Sequence, residues 1–144
     1  MTSPKRSMPT ERVLGDFIGL WELERDITPA TGAPARFEGQ ATWRAVPGGA
    51  AYHETGVLHL DGAAPMMAQR RYAWRDDLSV WFTDGRPFHT VPPLGGQATH
   101  FCDPDTYVST YDFAEWPVFW VRHDVTGPKK DYAMITRYTR SARG

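Results

Sequence analysis

The sequence predicts an all-β protein, mainly antiparallel: a single up-and-down β-barrel of about nine or ten strands with a short N-terminal helix. Apolar and polar residues alternate with a period of two along most of the chain, and Gly-, Pro- and Asp-rich turn signals recur every 8–12 residues or so. No strand pattern is followed by a long helical pattern, as a parallel α/β sheet would require. A chain of 144 residues fits one domain with one core.

The N-terminal region carries the predicted helix. Residues 1–9 are predicted to form a flexible tail, and residues 10–144 the barrel domain. Thr10 can cap a helix, and Val13, Leu14, Phe17 and Ile18 then form an apolar stripe at helical spacing. Gly19 ends this pattern, so the helix is predicted to lie between residues 10 and 18.

The strands follow, separated by turn signals. The predicted strands are 20–28, 36–46, 51–60, 66–75, 78–83, 98–102, 106–113, 117–126 and 130–140. A break at Asp84-Gly85 interrupts the apolar pattern after residue 83, and the chain resumes with Arg86 and His89. Because Asp-Gly is a turn signal, Asp84, Arg86 and His89 are predicted to lie at or near one rim of the barrel.

Composition narrows the classes of function. The formal net charge is -1, from 16 basic and 17 acidic residues, so no global field favours nucleic acid or an anionic membrane. One cysteine, Cys102, excludes an internal disulfide and a multi-cysteine zinc site. No apolar run reaches transmembrane length, and residues 1–9 contain no hydrophobic signal core. We therefore predict a cytoplasmic protein with neither a nucleic-acid nor a membrane partner, and the oligomeric state stays open.

Two sets of motifs carry a resemblance to known families. Gly19-Leu20-Trp21, after a short helix and at the start of the first strand, resembles the Gly-x-Trp signature of the calycin superfamily, which includes lipocalins and fatty-acid-binding proteins. The resemblance implies a barrel whose base is closed by Trp21, with Arg137 or Arg140 packed across it. No nitrobindin-type heme motif accompanies Gly-x-Trp, and no cofactor is predicted.

Later motifs resemble, in the same order, a family of bacterial proteins of about this length to which no function is assigned. The motifs are Arg70-Arg71-Tyr72-x-Trp74, the stretch from Asp84 to His89, His100-x-Cys102-x-Pro104-Asp105-x-Tyr107, and Gly127-Pro128-Lys129-Lys130-Asp131-Tyr132. The similarity covers most of the chain after Gly15, and it implies a fold without implying an activity.

The alternation predicts which side chains face the interior. If Trp21 points inward, so does Arg25, and the same reasoning places Glu54 and Arg70 inside on the third and fourth strands. Glu54 and Arg70 are predicted to pair, because an isolated buried charge costs several kcal/mol. The predicted inner faces are Trp21, Leu23, Arg25, Ile27; Phe37, Gly39, Ala41, Trp43; Tyr52, Glu54, Gly56, Leu58, Leu60; Met66, Ala68, Arg70, Tyr72, Trp74; Tyr107, Ser109, Tyr111, Phe113; and Tyr132, Met134, Thr136, Tyr138.

A mixed interior of this kind favours a small-molecule pocket. The first hypothesis is that the protein binds a small, partly polar organic molecule inside the barrel. An anionic molecule is one form of this hypothesis. The predicted ligand-binding residues are Arg25, Glu54, Arg70, Tyr72, Tyr107, Tyr111 and Tyr132, with Arg86 and His89 at the mouth.

Two alternatives stay open. The second hypothesis is a cofactor-free acid/base enzyme, of the isomerase, dehydratase or cyclase type, that uses the same cavity with His89, Glu54 or Tyr111 as catalytic groups. The third is a purely structural or interaction domain.

The remaining histidines do not predict a metal site. His100, Cys102 and Asp103 supply at most three ligands with poor spacing, so no metal is predicted. His53, His59 and His123 show no ligand spacing, and they are predicted to be surface or packing residues.

Overall fold

A computed structural model of the protein describes residues 10–142. The predicted tail, residues 1–9, lies outside the described residues. One helix and ten strands follow in chain order: α1 Leu14–Phe17, β1 Gly19–Pro29, β2 Ala35–Val46, β3 Gly49–Leu60, β4 Met66–Arg75, β5 Ser79–Phe82, β6 Pro87–Thr90, β7 Gly96–Cys102, β8 Asp105–Asp112, β9 Phe119–Thr126 and β10 Asp131–Arg140.

The ten strands form one antiparallel sheet that curls into a nearly closed barrel. Each strand pairs with its neighbour in sequence, except across β6 and β7, and β1 closes the ring by pairing with β10. β6 and β7 are the two edges of the sheet, with no backbone hydrogen bond between them in residues 10–142. The predicted all-β, up-and-down barrel with a short N-terminal helix is therefore confirmed.

Among the element boundaries that differ from the prediction, three have a clear local cause. The helix is only one turn long, because the backbone angles of Val13 and Ile18 at its two ends are not helical. Leu78 has φ +67°, which places it in a turn before β5. Residues 113–118 form consecutive turns, closed by Trp116 N–H to Phe113 and Val118 N–H to Glu115, so β9 starts two residues later than predicted.

Helix α1 plugs one end of the barrel. Phe17 is fully buried, and its ring contacts Trp43, Trp74 and Phe119 at centroid distances of 5.2–5.7 Å. The Trp21 indole N–H donates to the Phe17 carbonyl at 2.8 Å. We call this the closed end; the loops after β1, β3, β5, β7 and β9 lie at the opposite, open end.

Arg140 completes the closed end. Its guanidinium lies 4.0 Å from the centroid of the Trp21 ring and donates hydrogen bonds to the carbonyls of Ile18 and Asp16. The implied packing of a late-strand arginine over Trp21 is thus confirmed for Arg140. Arg137 instead faces Trp120 on the outer surface.

The inner faces follow the predicted alternation except at the open end. Arg25 and Glu54 are buried, with 5% and 1% of their surface exposed, and so are the large residues of the closed end. Leu60 and Met66, predicted to face inward, are exposed, because they are the terminal residues of β3 and β4 where the barrel meets solvent. Within the described part of the chain, no helix has the length and apolar character needed to cross a membrane.

Candidate functional site

A buried ion pair lies at the centre of the barrel. Arg25 Nη1 and Nη2 donate to Glu54 Oε1 and Oε2 at 2.6 and 2.9 Å, and Arg25 Nε donates to Thr136 Oγ1 at 2.7 Å. The Tyr52 hydroxyl donates to Glu54 Oε2 and lies 2.9 Å from the hydroxyl of Tyr138. Paired, parallel bonds of this kind are among the strongest hydrogen bonds between side chains. The pair therefore holds these side chains in fixed positions, and they form the floor of the barrel interior on the side of the closed end.

Glu54 has two arginine partners, and the sequence predicted one of them. Glu54 lies opposite Arg70 in the β3–β4 register, as expected, and Arg70 Nε is 3.9 Å from Glu54 Oε1. Arg25 makes the closer pair, because it reaches Glu54 diagonally across β2 over Gly39, which has no side chain. Arg70 therefore shares the carboxylate with Arg25, and its side chain is 42% exposed.

The ion pair keeps Glu54 ionised. Burial alone would raise the pKa of Glu54, but the hydrogen bonds and the positive charge of Arg25 outweigh it and lower that pKa. Burial raises the pKa of Tyr138 to about 12 and the pKa of Tyr111 well above its usual value, so both phenols are neutral at pH 7.

An inner cavity of about 40 Å³ lies directly above this floor. Side chains from most strands line it: Arg25, Trp43, Tyr52, Glu54, Arg70, Tyr72, Trp74, Val80, Phe88, His89, Tyr111, Phe119, Val121, His123 and Tyr138. Two buried nitrogens of these residues, Trp43 Nε1 and His89 Nδ1, have no hydrogen-bond partner among the described residues. The volume would admit a few water molecules or one small polar group.

An outer pocket of about 160 Å³ adjoins the inner cavity on the side of the open end. Its lining residues are Arg70, Tyr72, Phe82, Phe88, Tyr107, His123, Val125, Tyr132 and Met134. Arg70, Tyr72, Phe88 and His123 line both spaces, so they form the boundary between them. The two spaces together form a tapering site with aromatic walls.

Two histidines stand beside this boundary. His89 Nε2 is 2.8 Å from the Tyr111 hydroxyl, and His123 Nδ1 is 2.8 Å from Ser109 Oγ. Burial, with a smaller effect of His100, lowers the pKa of His89 to about 4. Burial, followed by the effects of His89 and the two arginines, lowers the pKa of His123 to about 3. Both imidazoles are therefore neutral at pH 7.

The structure brings together eight of the nine predicted site residues. They are Arg25, Glu54, Arg70, Tyr72, His89, Tyr107, Tyr111 and Tyr132. Arg86 is separate: its side chain is 63% exposed and pairs with Asp84 at 2.8 Å on the turn at the open end. Asp84 and Arg86 thus lie at the rim, whereas His89 lies inside the barrel rather than at its mouth.

Among the lining residues that the sequence did not identify as site residues, two carry polar groups that matter for the site. His123, predicted to be a surface or packing residue, lines both spaces. Its position was detectable, because it continues the inward alternation of Phe119, Val121 and Val125 along β9. Trp43 was correctly placed inside, but nothing in the sequence indicates that its indole N–H lacks a partner.

Comparison with known proteins adds a family and a fold. Residues 17–140 match the profile of DUF6314, a family of unknown function. The chain belongs to this family. No curated protein sequence matches it significantly. Among solved structures, the fold of this chain is similar to that of the S-type phycobiliprotein lyase CPES from Guillardia theta, with a TM-score of 0.63. The two sequences are 8% identical, and the match covers 89% of this chain and 90% of the lyase chain. The similarity shows a shared fold, in agreement with the calycin-type barrel expected from Gly-x-Trp.

The two neutral histidines predict a loss of stability in acid. In the unfolded chain these two histidines bind protons below a pH of about 6.5. In the folded protein, His89 stays neutral down to about pH 4 and His123 down to about pH 3. Folding stability should therefore fall as the pH drops below 6.5, by about 2 kcal/mol per histidine at pH 4.5. Urea unfolding of wild type and of the double variant His89→Gln/His123→Gln at pH 7 and 4.5 measures this loss.

The double variant should lose clearly less stability than wild type over this pH interval. His53→Gln is the matched control, because His53 lies on the outer face of β3 and bonds Gln69 there. An equal pH dependence in wild type and the double variant would show that the histidines do not contribute to it.

Proposed function

We propose that this protein binds a small, partly polar organic anion with a single negative charge in the tapering site of the barrel. The observation that carries the proposal is Arg70, whose guanidinium borders both the inner cavity and the outer pocket. Among the described residues that line these spaces, Glu54 alone supplies a carboxylate, and Arg25 and Tyr52 bind it closely. Arg70 lies farther from that carboxylate, at 3.9 Å, and its side chain is 42% exposed, so it retains hydrogen-bond donors for a ligand.

The charge of the lining supports a monoanion. Arg25 and Arg70 contribute two positive charges and Glu54 one negative charge. His89 and His123 are neutral at pH 7, since burial lowers the pKa of both. The lining therefore has a net charge of +1 in a partly desolvated site, where one ligand anion would balance it.

The size and walls of the site restrict the ligand further. Volumes of about 160 and 40 Å³ are well below the 300–1,000 Å³ or so that is typical of drug-sized pockets. Phe82 and Phe88 stack at 4.9 Å, and the tilted ring of Tyr72 lies 5.9 Å from each of them, which gives an aromatic wall. A compact molecule with an apolar body and an anionic head suits this geometry.

The structural neighbour supports the architecture of the proposal. The neighbour is a phycobiliprotein lyase, so a barrel of this type serves a protein with an enzymatic role. Arg70 and the pocket walls alone support an anionic ligand for the present chain.

The replacement of Arg70 by alanine tests the proposal. Native mass spectrometry of the purified protein, followed by thermal-shift titration with a panel of small organic anions, measures binding. Arg70→Ala should weaken binding at least tenfold, as expected for a lost charged hydrogen bond, at nearly unchanged melting temperature.

Arg71→Ala is the control, because Arg71 is the next residue on β4 and faces the outside. A fall in melting temperature of Arg70→Ala with unchanged affinity would instead identify Arg70 as a structural partner of Glu54.

One contact favours a second candidate, an acid/base enzyme. The Tyr111 hydroxyl and His89 Nε2, 2.8 Å apart in the inner cavity, could exchange a proton with a bound substrate. Glu54 suits that role less well, because three hydrogen-bond donors hold its carboxylate. Incubation with small keto acids in D₂O, followed by proton NMR, would reveal enzyme-dependent exchange that is lost in His89→Gln. Exchange equal to the buffer rate in wild type would remove this candidate.

A further inference from the structure

Trp43, one of the residues that line the inner cavity, carries a buried hydrogen-bond donor without a partner in the described part of the chain. Trp43 is 1% exposed, and its Nε1 has no hydrogen-bond partner among the described residues. Its ring packs against Tyr52 at 4.6 Å, Trp74 at 5.4 Å and Tyr138 at 5.6 Å, at steep interplanar angles. The indole cannot turn its N–H elsewhere without disturbing these contacts. A buried donor without a partner costs about 1–3 kcal/mol, so the position calls for an acceptor.

A second nitrogen in the same cavity has the same need. His89 Nε2 accepts a hydrogen bond from the Tyr111 hydroxyl when that hydroxyl donates across their 2.8 Å contact. Neutral imidazole then carries its hydrogen on Nδ1, which is the buried atom without a partner. In this tautomer two lining residues of the cavity, Trp43 and His89, each carry an N–H donor that is unpaired among the described residues, and Arg70 lines the same cavity.

We propose that the inner cavity receives the carboxylate head of the ligand, with Trp43 Nε1–H and His89 Nδ1–H as donors and Arg70 as the counter-charge. The ligand class is then a small monocarboxylate whose apolar body, preferably an aromatic ring, occupies the outer pocket along Tyr72 and Phe88. A cavity of about 40 Å³ has room for such a head and little more. This inference rests on the proposed function and specifies the chemistry of the same site.

The experiment observes the Trp43 indole directly. Protein labelled with ¹⁵N-tryptophan gives one indole N–H signal for each of its six tryptophans. Acetate, benzoate and phenylacetate serve as probes, and acetamide, benzamide and phenylacetamide are their uncharged counterparts. Titration with the carboxylates should move the Trp43 signal downfield, as a new hydrogen bond to an anion does, and the amides should leave it nearly unchanged.

Two variants test how much the Trp43 N–H contributes to the affinity for a carboxylate. Trp43→Phe keeps an aromatic ring and removes the N–H, and it should weaken benzoate binding about tenfold. Trp120→Phe, on the outer side of β9, is the matched control and should bind like wild type. If Trp43→Phe does not fold, contacts of the indole proton with the rings of Tyr52 and Tyr138 assign the wild-type signal, so the titration still decides.

The outcomes separate this inference from the proposed function. The inference would be overturned if the carboxylates bind, depend on Arg70 and leave the Trp43 signal unmoved. Water would then be the partner of the indole N–H, and the proposed function would be unaffected. The inference would also be overturned if none of the three carboxylates binds. The proposed function would still be supported if an anion of another class co-purifies with wild type and is absent from Arg70→Ala.

Discussion

Glu54→Gln is expected to lower the free energy of unfolding by about 3–5 kcal/mol, because it leaves the buried guanidinium of Arg25 without its counter-charge. Arg25 is 5% exposed, and both of its terminal nitrogens donate to the carboxylate that this change neutralises. The Tyr52 hydroxyl also loses its bond to an ionised acceptor. Urea unfolding at pH 7 measures the effect.

The double variant Arg25→Met/Glu54→Gln is the informative control for this pair. It removes both charges, so it should be less destabilised than Glu54→Gln alone. A change below about 1 kcal/mol in Glu54→Gln would mean that water reaches Arg25 and that the ion pair is not essential to the barrel.

Gly39→Ala is expected to destabilise the barrel strongly, with a loss of about 3 kcal/mol or more. A Cβ atom at residue 39 would lie 2.0 Å from the carbonyl oxygen of Thr55 and 2.6 Å from the Cα of Gly56, its register partner on β3. These are backbone atoms, so the clash is relieved only if β2 and β3 separate. The Arg25–Glu54 pair, which spans β2 at this point, would be disturbed as well.

Gly15→Ala is the matched control, because a Cβ there meets no atom within 4 Å. Thermal unfolding monitored by near-ultraviolet circular dichroism suits both variants, since many aromatic rings pack in the interior. Equal melting temperatures for Gly39→Ala and Gly15→Ala would contradict the close approach of β2 and β3.

Alternation predicted the fold well, because one face of most strands is more buried than the other and a period of two therefore recurs along the chain. Trp21, Leu23 and Arg25 on β1 follow it without exception. The helix was predicted less well: its apolar stripe of Val13, Leu14, Phe17 and Ile18 fits helical spacing, yet only one turn forms. The conformation of so short a segment depends on its packing against the aromatic cluster at the closed end more than on its intrinsic helix propensity.

The site was predicted only in part, because register specifies neighbours on adjacent strands but not contacts across the interior. Arg70 was the natural partner of Glu54 by register, whereas Arg25 reaches Glu54 over the small residues Gly39 and Ala41. The missing partner of the Trp43 indole depends on three-dimensional packing of several rings. No local pattern records it.

The unpaired edges β6 and β7 have a consequence for how wide the barrel can be. In a fully hydrogen-bonded barrel, strand number and stagger set the diameter, so the lumen has one size. Here the ring is joined at one seam by side chains, among them Phe88 and His100 at 5.8 Å, with His89 and Tyr111 beside them. Because no ladder bond crosses that seam, side-chain packing rather than backbone hydrogen bonding sets the circumference of the barrel there.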